Sequence, residues 1–171
     1  MKTFVRRIEF AANLAIIVVA ILLGVVLVRN YFFRSPAQTQ IPAVTQIETG
    51  TKVSLSGVDW NTSKRTLVMA LSTTCHFCTE SAPFYQRLAQ ERDRNLNLRL
   101  IAVFPQKSQE SLEYLKGLAV KVDDVRQSEL ASLGVSGTPT LILLNSQGIV
   151  EDTWRGKLNE DREGDVLRRL Q

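Results

Sequence analysis

Thr66-Leu67-Val68-Met69-Ala70-Leu71-Ser72-Thr73-Thr74-Cys75-His76-Phe77-Cys78 is the stretch on which the rest of the chain is organised. The run Thr66–Ser72 is almost continuously apolar, the signature of a strand covered on both faces. It delivers two cysteines spaced C-x-x-C to a helix-like run that extends to about Arg92. The first sulfur lies where free backbone N–H groups at a helix start favour a thiolate. The second lies one helical turn on, within reach of a disulfide. The chain has two cysteines and one histidine, and all three fall within these four positions.

Working outward, the alternation of elements continues on both sides. Lys52–Leu55 reads as a short strand. Asn97–Val103 reads as a second central strand, and Ser108–Leu118 as a helix opened by Ser108. A short helix is expected around Gln127–Leu133. Thr140–Leu144 and Ile149–Trp154 form a hairpin across the turn Asn145-Ser146-Gln147-Gly148. Asn159 caps a last helix over Glu160–Leu170, with Val166, Leu167 and Leu170 on one face. Alternating strands and helices that end in a hairpin and a helix predict an α/β fold with a mixed sheet.

The N-terminal side is of another kind. Residues 10–28 are 19 consecutive uncharged and mostly apolar residues. At about 1.5 Å per residue they reach across a hydrocarbon core of roughly 30 Å. Tyr31, Phe32 and Phe33 follow as an interfacial anchor, and Arg29 and Arg34 close the span. A cleaved signal peptide is the rival reading, but the run exceeds the roughly 7–15 residues of a signal core. Lys2, Arg6 and Arg7 outweigh Arg29 and Arg34, so the N-terminus is expected in the cytoplasm and the domain outside. Residues 35–51, with Pro36 and Pro42 and little charge, read as a tether. The expected organisation is residues 1–34 as cytoplasmic tip and transmembrane anchor, 35–51 as linker and 52–171 as the domain.

Of the chain's 171 residues, 21 are Lys or Arg and 17 are Asp or Glu, a formal charge of +4. All of that excess lies in residues 1–34, and residues 35–171 balance at 16 of each sign. A nucleic-acid footprint would need a basic face on the domain, and the charge pattern supplies none. Two cysteines exclude a disulfide-rich scaffold.

With these residues in view, the domain resembles the thioredoxin superfamily, and within it the membrane-anchored TlpA/ResA-like thiol–disulfide oxidoreductases. The resemblance covers residues 52–171. It is carried by the strand leading to Cys75-His76-Phe77-Cys78, by Pro83 five residues after the second cysteine, by Gly134-Val135-Ser136-Gly137-Thr138-Pro139-Thr140, and by the hairpin that follows. Two features depart from it. Thioredoxins proper carry a buried aspartate six residues before the first cysteine, and that position is Met69 here. ResA-like proteins often carry a glutamate three residues after the second cysteine. That position is Ser81, with Glu80 one earlier.

The resemblance implies dithiol–disulfide exchange through the catalytic pair Cys75 and Cys78, with no cofactor beyond that redox-active disulfide. Cys75 would be the nucleophile and Cys78 the resolving thiol. Thr138 and a cis Pro139 would border the site and offer backbone to an extended substrate segment. His76 is a candidate for tuning the thiol, since a neighbouring cation stabilises a thiolate. Expected partners are exported proteins with thiols or disulfides, such as apocytochrome c, together with a membrane electron donor or acceptor and the lipid bilayer. The expected location is a bacterial inner membrane, crossed once, with the domain in the periplasm. Family likeness points to a reductant and His76 to a more oxidising pair, and the sequence leaves both directions open.

Three other classes compete. A zinc or copper site would need more ligands than one His and two Cys, and the chain has no others. A peroxidase of the same superfamily would need a proline ahead of its cysteine, and none lies between Pro42 and Cys75. A non-enzymatic docking module would leave the C-x-x-C without a purpose.

Overall fold

Two runs, Arg65–Ala70 (β1) and Leu98–Phe104 (β2), pair in parallel at the centre of a five-stranded sheet. Their side chains are buried on both faces, and this explains why they read as continuous apolar runs. The computed structural model describes Leu23 and residues 47–171. The rest of the expected transmembrane span, and the tether as far as residue 46, lie outside the described residues. Among the described residues no helix is long and apolar enough to cross a membrane.

In chain order, β1 is followed by helix α1 (His76–Glu80), α2 (Ala82–Arg94), β2, α3 (Ser108–Gly117) and strand β3 (Asp124–Gln127). The hairpin β4 (Thr140–Asn145) and β5 (Val150–Arg155) comes next, and α4 (Glu160–Leu170) ends the domain. The strand order is β3-β2-β1-β4-β5. β3 runs parallel to β2, whereas β4 is antiparallel to both β1 and β5. The sheet is mixed, as the alternation of elements predicts.

Side-chain alternation along the strands divides the interior into two layers. Leu67, Met69, Leu100, Ala102, Phe104, Leu141 and Leu143 point to one face. Phe84, Tyr85 and Leu88 of α2, Leu115 of α3 and Val166 and Leu170 of α4 cover them. Val68, Ala70, Ile101, Val103, Ile142 and Leu144 point to the other face. Chain without regular helix covers that side: Ile47, Val53 and Leu55 near the start, and Leu133 and Val135 before β4.

The helix predicted over 76–92 is two helices that break at Ser81. Pro83 has no N–H to continue the first helix, and Ser81 turns its hydroxyl onto the Phe77 carbonyl at 2.8 Å. α4 begins and ends where expected. Asn159 accepts from the Arg162 N–H at 3.1 Å, with acids in the first turn and Arg168 and Arg169 in the last. In the hairpin turn, Gly148 adopts φ +74°, and a Cβ there would fall 2.5 Å from the Trp60 ring. Only glycine meets both demands without displacement.

Three sequence expectations are corrected. Gln127–Leu133 is not a helix: Gln127 ends β3, and Leu130–Leu133 is a single 3₁₀ turn. The half-buried Asp124-Val125-Arg126-Gln127 has no apolar pattern, and pairing with β2 makes it extended. Lys52–Leu55 is not a strand but a single bridge, Lys52 to Ile149. It runs beside the hairpin turn, where Val53 N–H donates to the Gly148 carbonyl. The last residues assigned to the linker also lie on the domain. Ile47 is buried, its N–H donates to the Gly134 carbonyl at 3.0 Å, and Gly50 N–H donates to Val150. One apolar residue among polar neighbours has no periodicity by which to announce this.

Candidate active site

The site forms at the C-terminal ends of β1 and β2, the edge at which open α/β sheets hold their ligands. Cys75 is the N-cap of α1. Its sulfur accepts from the Cys78 N–H at 3.3 Å, taking up one of the donors that a helix start leaves free. The Cys75 thiol also donates to the Thr138 carbonyl at 3.3 Å, 63 positions along the chain. The peptide between Thr138 and Pro139 is cis. The structure thus brings Cys75, Cys78, Thr138 and Pro139 together, and both cysteines are free thiols.

The two sulfurs differ in environment. Cys78 is fully buried, and Cys75 is half-exposed. Burial raises the Cys75 thiol, but hydrogen bonds with the Cys78 thiol, with Thr138 and with the backbone of Cys78 and Phe77 outweigh it, so Cys75 lies below the ordinary thiol value. Burial pushes Cys78 up to about 12, and its hydrogen bond to Cys75 adds to the rise. An accessible, acidified sulfur beside a buried, neutral one is the asymmetry that a nucleophile and a resolving thiol require.

A pH profile follows from these directions. Iodoacetamide is expected to label Cys75 at a pH below the ordinary thiol range and to leave Cys78 unlabelled until the fold opens, as peptide mass spectrometry would show. The stability that Cys78 contributes is complete below its ordinary value of 9.0 and is lost as the pH rises towards about 12. Cys75 acts in the opposite sense, contributing above the ordinary value and losing that contribution as the pH falls through its folded pKa. Labelling of Cys78 in step with Cys75 would contradict the assignment.

His76 stands on α1 with its side chain 79% exposed, and its Nε2 lies 3.0 Å from Glu80 Oε1. The other oxygen of Glu80 accepts from Lys157 Nζ at 2.9 Å. Lys157 first, and His76 with it, hold the Glu80 carboxyl below the usual carboxylate range. Phe77 is 55% exposed beside the pair, an apolar surface open to solvent.

Sequence reasoning missed the residues that hold the turn before Cys75. Gln106 accepts from the Thr73 N–H at 3.4 Å and donates to Ser72 Oγ at 2.9 Å. Thr73 donates its hydroxyl to Glu110 at 2.6 Å. Tyr114 and Thr79 share a hydroxyl–hydroxyl contact of 3.0 Å. One signal was available: Gln106 follows a central parallel strand by two residues, on the rim where α/β sites form. Among the described residues no group of three or more Cys, His, Asp or Glu side chains could hold a metal ion.

No family model matches the sequence, and a search among curated proteins finds no match. Solved structures do match. A structure described as a putative thiol:disulfide interchange protein DsbE from Chlorobium tepidum superposes with TM-score 0.56 at 18% identity, over 74% of this chain and 98% of that one. A thiol-disulfide oxidoreductase from Bacteroides fragilis also gives 0.56, at 17% identity, over 72% of this chain and 100% of that one. StoA from Bacillus subtilis gives 0.53 at 17% identity, over 76% and 100%. The fold of residues 47–171 is therefore thioredoxin-like, a mixed central sheet flanked by helices.

Proposed function

We propose that this protein is a membrane-anchored thiol–disulfide oxidoreductase acting on protein substrates on the exported side of a bacterial inner membrane. The observation that carries the activity is the unequal pair: an acidified, half-exposed Cys75 and a neutral, buried Cys78, set against the cis Thr138–Pro139 peptide. The similar solved structures named above, described as interchange proteins and oxidoreductases, support the same reading. The apolar span of residues 10–28 and the basic residues before it support the anchor and its orientation.

The Cys75 thiolate attacks one sulfur of a substrate disulfide. A Cys75–substrate bond forms, and the substrate's other sulfur leaves as a thiolate. Cys78 then loses its proton and attacks Cys75 Sγ. The Cys75–Cys78 disulfide closes, and the second substrate sulfur departs with its electron pair. The substrate gains two electrons and two protons. Run backwards, the same steps oxidise a dithiol. Part of the rise in the Cys78 pKa comes from Cys75 itself. That part vanishes once Cys75 is bonded to substrate, so Cys78 ionises more readily at the step that needs its thiolate.

A membrane-impermeant maleimide tests the exported position. Added to intact inner-membrane spheroplasts that carry the full chain, it is expected to label Cys75. Labelling only after the membrane is broken would reverse the orientation. Turnover of a glutathione mixed disulfide by the detergent-solubilised chain tests the activity, and a chain without turnover would defeat the reading.

A further inference from the structure

At the mouth of the site, the Glu80 carboxylate meets two basic side chains. It takes His76 on one oxygen and Lys157 on the other, at 3.0 and 2.9 Å. His76 lies on its own helix, one turn back. Lys157 arrives from the loop between β5 and α4, 77 positions away. That second contact is tertiary, and it aims Oε1 at the imidazole. A lone i,i+4 pair on a helix of five residues would have little reason to stay closed. With Lys157 in place, the carboxyl is ionised and held at one end, and the exposed imidazole comes to it.

The position of His76 gives this contact a consequence. The imidazole is attached to the residue that follows Cys75. A free imidazolium there would favour the Cys75 thiolate, and so the dithiol over the disulfide. A carboxylate beside an imidazolium offsets part of the positive charge that its neighbours feel. It is also turned along the helix towards position 80, away from the N-cap that Cys75 occupies.

We propose that Glu80 is a positioning residue that sets the redox poise of Cys75–Cys78 by withholding the charge of His76 from Cys75, with Lys157 as its anchor. The proposal rests on the reading of the pair as redox-active. It also bears on the direction left open by the sequence: His76 alone would make the pair more oxidising, and the Glu80–Lys157 bridge restrains that influence.

The test equilibrates the full detergent-solubilised chain with reduced and oxidised glutathione at about pH 6, where free imidazole is mostly cationic. The fraction of Cys75–Cys78 disulfide is read by alkylation and mass. Four forms are compared: the native chain, Glu80→Gln, His76→Ala and the double variant. Exposed ion pairs act weakly, so Glu80→Gln is expected to move the equilibrium about two- to fivefold towards the dithiol. It should also lower the pH midpoint of Cys75 alkylation. In the His76→Ala background the same substitution should change neither. A merely structural Glu80 would shift the melting temperature in both backgrounds and leave the equilibrium unmoved. No shift on Glu80→Gln, or an equal shift with and without His76, overturns the proposal while native exchange leaves the functional reading standing. Failure of the native chain to exchange with glutathione overturns both.

Discussion

Cys75→Ser is expected to abolish disulfide exchange, with turnover down by about a thousandfold or more, because a serine hydroxyl is hardly ionised at neutral pH and forms no bond that Cys78 could resolve. Cys78→Ser should behave differently. Its Cys75 can still attack, so a substrate disulfide should stop as a stable mixed disulfide, visible as an added mass that reductant removes. The contrast depends on the unequal sulfurs: Cys75 half-exposed and acidified, Cys78 buried and raised to about 12. Both variants should keep the fold, since serine preserves the shape at each position. Retained turnover in Cys75→Ser would refute its role as nucleophile. A Cys78→Ser chain that turned over without a trapped species would refute the resolving role.

The largest effect on stability is expected at Phe104. Its side chain is fully buried at the end of β2, in the layer under α2, α3 and α4. Its ring meets that of Tyr114 edge-on, with centroids 5.9 Å apart. Phe104→Ala removes that contact and leaves a cavity, at a cost of about 3–5 kcal/mol. Small domains have about 5–15 kcal/mol in total, so this is a large share. The melting temperature should fall by about 10–20 °C. Phe104→Leu, which keeps much of the volume, should lose considerably less. The effect should extend to the site, because Tyr114 holds Thr79 of α1 through its hydroxyl. A urea-derived unfolding free energy for Phe104→Ala within about 1 kcal/mol of the native value would show that the layer can close over the gap.

Much of the fold was legible because several elements carry their own instructions. β1 and β2 are apolar throughout, a pattern imposed by burial on both faces. α4 is bounded by Asn159, by its acidic first turn and by its basic last turn, all local effects. The hairpin was readable from Asn145-Ser146-Gln147-Gly148, where Asn145 accepts from the N–H groups of Gln147 and Ile149 and Gly148 takes the left-handed conformation. β3 was not legible. Its four residues include Asp124, which pairs with both Arg126 and Arg99, and they are extended because the edge of β2 stands open to them. Ile47 was read as tether for the same reason: one buried residue outside any element has no period.

The charged clusters show the same limit. Arg92-Asp93-Arg94 and Glu160-Asp161-Arg162-Glu163 are charged runs whose partners the sequence does not name. In the structure Arg92 pairs with Asp123, whose other contact is the Leu100 N–H, and Arg87 pairs with Glu163 to join α2 to α4. Sequence distances of 31 and 76 positions separate these partners. Nothing local says which charge will meet which.

The sequence alone determined the local arrangement at the site: two sulfurs one helical turn apart, delivered by a buried strand to a helix start. Those features depend on spacing and on backbone rules that act within a few residues. Only the tertiary structure decided what the sulfurs meet. It set Cys75 against Thr138, buried Cys78 in the layer beneath α2, clamped the preceding turn with Gln106, and gave His76 to a glutamate anchored by Lys157. The contacts of Cys75 with Thr138, of Gln106 with Ser72 and of Glu80 with Lys157 each join residues more than 30 positions apart. The order in which strands pair selects such partners, and no local pattern encodes that order.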